Sequence, residues 1–79
     1  MKIRVSELKK GVEVDMPVEW NIKPVRQCTI KYLKDIDRFV LADIKTREVH
    51  TMFTRLTDLI QYTNNRYNYK DVAVEDGEN

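Results

Sequence analysis

Cys28 and His50 are the only cysteine and the only histidine in this chain of 79 residues. A structural zinc site needs four such ligands at close spacing, so none is expected. The two residues could still act as a nucleophile and its base if they lay on neighbouring strands. No glycine-bearing turn stands near either one to build an oxyanion hole. Cys28 therefore reads as a small core residue and His50 as a strand residue at the sheet surface. Gly11 and Gly77 are the only glycines, which excludes a glycine-rich phosphate loop. Asp35 and Asp37 are paired carboxylates, but they flank a turn, where aspartate is favoured because its side chain bonds nearby backbone groups. No catalytic residue, metal or cofactor is expected, and the chain reads as a binding protein rather than an enzyme.

Three sets of residues have the types that carry binding. Trp20 is the sole tryptophan and belongs to a residue type enriched at interface hot spots, although its even parity with Val12, Val14, Met16 and Val18 also suits a buried face. Tyr62, Arg66 and Tyr69 fall at i, i+4 and i+7, an aromatic and arginine patch beside the apolar stripe of a helix. Lys31, Tyr32, Lys34 and Arg38 are a basic stretch with an interleaved aromatic. There the cations could hold phosphates and Tyr32 could stack a base.

The elements that position these residues follow from periodicity. Val5 to Gly11 reads as a strand end, a helical turn started by Ser6 and a glycine stop. From Val12 to Ile22 apolar and polar residues alternate strictly, the mark of a strand with one buried face. Pro17 cannot donate to a ladder, so it marks an edge, a bulge or a bend, with either one long bent strand or a short hairpin around it. Glu13, Asp15 and Glu19 make the opposite face acidic. Pro24 separates this run from a second strand, Val25 to Leu33, with Cys28, Ile30 and Tyr32 on one face and Thr29, Lys31 and Leu33 on the other. A turn at Lys34–Asp37 leads to Arg38–Ile44, apolar on both faces at its centre and so a central strand. Lys45–Glu48 is a turn without glycine, and Val49–Phe53 a further strand. Short connections favour an antiparallel meander.

The period then changes to that of a helix. Leu56, Leu59, Ile60, Thr63 and Tyr67 share one stripe, with Thr54 or Thr57 able to cap the start and Asp58 in the first turn. Asn64, Asn65 and Asn68 are weak helix formers, so the helix is expected to stop near Asn65, with a last short strand between Tyr69 and Val74.

The expected architecture is α+β: four or five antiparallel strands in a small, strongly curled sheet, with one C-terminal amphipathic helix. Leu8-Lys9-Lys10-Gly11-Val12-Glu13-Val14 resembles the Leu-x-x-Gly-x-x-Val lead-in to the first strand of many SH3-like barrels. That resemblance implies a closed barrel and carries no function with it. Residues 1–74 form one domain, and 75–79 an acidic, disordered tail. Basic and acidic residues number 14 and 13. Glu75, Asp76 and Glu78 hold three of the acids, so the body of the chain carries a net charge of +4. The single cysteine suits a reducing cytoplasm, and no apolar run is long enough for a signal peptide or a membrane span.

These features point to a protein-interaction module, a small adaptor or inhibitor that docks on a larger protein and suits a phage or mobile element. Homodimerisation through an edge strand or helix is a variant. The alternative is a small nucleic-acid-binding domain with the basic strand face as its site and the acidic tail as its regulator.

Overall fold

The computed structural model describes residues 2–20, 23–67 and 72–75, with the backbone alone for residues 17–20, 23–27 and 67. A four-stranded antiparallel sheet runs in the order β2 (Val14–Trp20), β3 (Lys23–Leu33), β4 (Arg38–Asp43) and β5 (Val49–Phe53). Before it come β1 (Lys2–Ile3) and α1 (Val5–Lys9). After it come α2 (Leu56–Tyr67) and β6 (Ala73–Val74), which pairs in parallel with β1. The sheet order is that of a simple meander, as the short connections require.

The sheet is open. Its outer strands β2 and β5 do not meet, so the closed barrel implied by the Leu8–Val14 resemblance is not formed, nor is the sheet strongly curled. That seven-residue stretch has a local job instead. The Gly11 N–H donates to Leu8 C=O at 3.0 Å and the Val12 N–H to Glu7 C=O at 3.1 Å, the paired bonds of a Schellman stop on α1. Gly11 sits at φ +102°, a conformation only glycine adopts freely. The helix itself begins two residues earlier than a Ser6 cap would set it, with an extended Arg4 at the N-cap and no side-chain capping bond.

The alternating run becomes strand only from Val14, and Val12 stays exposed in the turn. β2 continues through Pro17, which pairs with Gln27, and the chain reverses between Trp20 and Lys23. Pro17 is tolerated because β2 is an edge strand. Pro24 lies second in β3, near its start, where the missing N–H costs little, rather than between two strands.

Two turns close the remaining hairpins without glycine. Leu33 and Arg38 flank the first, and Asp37 takes a positive φ of 52° there. In the second, Asp43 Oδ1 accepts the N–H groups of Lys45 at 2.8 Å and Thr46 at 2.9 Å, while Arg47 takes φ 64°. An aspartate side chain that mimics a backbone acceptor replaces glycine as the turn's organiser.

The core lies on one side of the sheet. Met16, Cys28, Ile30, Phe39 and Leu41 face Val5 and Leu8 of α1 and Leu56, Leu59 and Ile60 of α2. Thr63 completes the stripe on α2, its hydroxyl donating to Ile60 C=O at 2.9 Å. The helix runs two residues beyond Asn65, to Tyr67; Asn64 serves it by reaching out to donate to Val72 C=O at 3.2 Å. β4 is buried along both faces, as a central strand must be, with Val40 and Ala42 covered on the outer face and Phe39 and Leu41 on the helix side. Glu75, at the head of the proposed tail, is held by a 2.8 Å bond from its N–H to Ile3 C=O and by an ion pair with Arg4 at 2.9 Å. Asp76, Glu78 and the rest of the tail lie outside the described residues. Among the described residues no helix is long and apolar enough to cross a membrane.

Candidate interaction surface

Registers divide the candidate residues between the two faces of the sheet. Lys31 pairs with Val40 and Leu33 with Arg38, which puts Lys31 and Arg38 on the outer face with Thr29, Ala42 and Met52. Tyr32 pairs with Phe39 on the helix side. Its ring packs against Phe39 with centroids 5.0 Å apart, under the Lys9 ammonium at 5.5 Å, and its hydroxyl donates to Asp37 Oδ1. That bond to Asp37, then burial, then the carboxylate's charge raise the pKa of the Tyr32 phenol above its ordinary value. Arg38 turns its guanidinium back onto the carbonyls of Ile36 at 3.2 Å and Asp37 at 2.9 Å. Lys34 is exposed in the turn. The basic stretch is thus split: Lys31 and Arg38 share a face that Tyr32 does not.

The aromatic and arginine patch on α2 is divided in a different way. Tyr62 is half-buried and rests on Phe53, the last residue of β5, with ring centroids 5.6 Å apart. Arg66 is exposed in the last turn. Tyr69 lies outside the described residues, as does the side chain of Trp20, whose backbone ends β2 beside the hairpin turn. Cys28 on β3 and His50 on β5 have β4 between them, so the two do not stand on neighbouring strands as a nucleophile and base would.

The strand that sequence reading passed over is β5. Among the described residues it pairs with β4 alone and so forms an edge of the sheet. Met52 is 48 % exposed and Val49 38 % exposed on the outer face. Its residues Val49-His50-Thr51-Met52-Phe53 contain no proline, lysine, arginine or acid. Natural edge strands ordinarily carry such residues to block further pairing. The ladder shifts register between Leu41 and Ala42, where His50 is the extra residue of a bulge. The signal was present in the sequence as a strand without charge, but only the sheet order shows that it is an edge.

Among the described residues, three buried polar side-chain atoms have no hydrogen-bond partner: Thr29 Oγ1, His50 Nε2 and Asn64 Oδ1. The first two stand on strands of the outer face and edge, while Asn64 lines a shallow groove between α2 and β6 with Thr57, Ile60, Gln61, Asn65 and Val74. Among the described residues no cluster of histidine, cysteine and carboxylates is placed to hold a metal ion. No family model matches this chain, and no curated protein or solved structure is significantly similar to it.

Proposed function

We propose that this protein is a non-enzymatic interaction module, an adaptor or inhibitor that docks on another protein through the rim where β5 meets α2. The observation that carries the reading is the β5 edge, which carries neither charge nor proline, together with the seating of Tyr62 on Phe53. The contact makes the helix flank and the free edge one continuous surface. An extended segment added to such an edge gains main-chain hydrogen bonds, and side chains such as Met52 and Tyr62 supply selectivity. The adjoining Arg66 belongs to the residue types that carry interface energy.

The test is capture from a host lysate with the tagged full chain, with and without nuclease, beside Met52→Lys. The reading expects a protein species that survives nuclease and is lost with Met52→Lys, since a lysine on an edge blocks pairing. Retention by the variant rules out the β5 rim. Partners that vanish with nuclease instead support nucleic-acid binding, for which Lys31 and Arg38 on one face and Lys34 in the adjoining turn are the candidates.

A further inference from the structure

The helix side of the sheet is covered by two helices that are attached in different ways. α2 has twelve residues and packs against β2, β4 and β5. α1 packs against β3, with the Lys9 ammonium above the Tyr32 ring. It has five residues, too few for a helix to persist on its own. The strand before it, β1, has two residues and pairs with β6 rather than with any strand of the main sheet.

We infer that β1 and α1 form a lid that leaves the sheet as one unit, turning about Gly11, while the four strands and α2 stay folded. The catch lies at the far end of the lid. There the Glu75 N–H donates to Ile3 C=O at 2.8 Å, and Arg4 pairs with the Glu75 carboxylate at 2.9 Å, both side chains being exposed. β6 stays with α2, tied to it by the Asn64 bond to Val72 C=O and by the packing of Val74. The lid moves as a unit because only Arg4 separates β1 from α1, and Arg4 C=O accepts the bond of the first helical turn, from the Leu8 N–H at 3.2 Å. Releasing the catch frees the residue on which that turn is built. At the other end Gly11, Val12 and Glu13 are exposed, and they can absorb the change of backbone angles. Inward, the lid is held by the side chains of Ile3, Val5 and Leu8. The strands it covers are held more firmly, since β3 and β4 are bonded to a neighbour on each side. The lid therefore opens at a lower free energy than the whole domain. Open, it uncovers the side of β3 that carries Ile30 and Tyr32, a second apolar surface separate from the β5 rim. The inference does not depend on the docking reading.

Native-state amide hydrogen exchange on the full chain, followed by nuclear magnetic resonance, tests this. The Leu8, Gly11 and Val12 amides, all bonded within α1 and its stop, should exchange about a hundredfold faster than the slowest amides of β3 and β4. Val40 lies on the outer face, away from the lid, and keeps its contacts when the lid opens. Val40→Ala should therefore accelerate the strand amides about thirtyfold and leave the three lid amides unmoved. Glu75→Pro removes both the N–H and the carboxylate of the catch, and should accelerate the three lid amides together by about fivefold. Arg4→Ala removes the ion pair alone and should accelerate them about twofold. Lid amides that speed up with the strand amides in Val40→Ala overturn the inference, because the lid then opens only when the whole domain unfolds. Lid amides indifferent to both Glu75→Pro and Arg4→Ala overturn it too, because α1 then unwinds without leaving β6.

Discussion

Leu41 and Val40 are adjacent residues of β4, both without solvent exposure, and they are buried by different means. Leu41 belongs to the cluster sealed by α1 and α2; Val40 faces outward and lies outside that cluster. The register sets Lys31 of β3 and Met52 of β5 on either side of Val40. Long side chains flanking a short one keep water from it, and lysine can do so while its ammonium stays solvated. The helix side is therefore a core in the ordinary sense, and the outer side is a thin apolar layer made by the sheet's own side chains. A surface of the second kind can accept a partner without first displacing a helix. The first kind cannot.

The contrast can be broken most directly at Leu41. Leu41→Ala should cost about 3–5 kcal/mol, the lost transfer energy plus the cavity left beneath two helices. That approaches the whole net stability of a domain this small, on the order of 5 kcal/mol, so the variant should be largely unfolded in a urea titration. A midpoint close to that of the unaltered protein would mean that the helices do not seal this face. Val40→Ala should cost less, about 2 kcal/mol, because fewer groups are removed and the thin layer can relax around the loss. A cost equal to that of Leu41→Ala would show that the outer face is sealed as firmly as the other.

A third test concerns how α1 is brought to the covered face. Gly11 holds φ +102°, and a methyl group added there would meet no atom within 4 Å. Gly11→Ala therefore isolates backbone strain from steric contact. It should lower stability by about 1–2 kcal/mol, read from the same urea midpoint. No change would mean that the Schellman stop contributes nothing to placing Val5 and Leu8 in the core.

Most of the sheet could be read from the sequence, because period and punctuation act locally. The segment Val49–Phe53 and the turn at Lys34–Asp37 match the structure residue for residue, and β4 shows its central place by being apolar on both faces. The misplacements have local causes as well. Val12 keeps the strand's parity but is claimed by the turn that Gly11 sets, and the hairpin falls after Trp20 because Pro17 is harmless on an edge. Barrel closure was not legible, since a seven-residue lead-in says nothing about whether β2 and β5 meet. The candidate surface was legible only in part. Tyr62 was visible from helical spacing, but that it rests on Phe53 at a free edge depends on strand order, which composition does not encode.

The smallest effect separates two neighbours on β3. Lys31 points outward, whereas Tyr32 points inward and is held by Asp37, Phe39 and Lys9. Because the bond to Asp37 raises the Tyr32 pKa, the fold favours the protonated phenol. Its contribution is complete below the unfolded tyrosine value of about 10 and is lost as pH rises through the higher folded value. Tyr32→Phe should thus lower the urea midpoint slightly at pH 8, and the gap between the two proteins should close as pH rises through the raised folded value, where ionisation removes the bond in the unaltered chain. A gap that stays constant from pH 8 upward would mean that the Tyr32 hydroxyl does not support the fold, leaving the ring's packing as its contribution to the covered face.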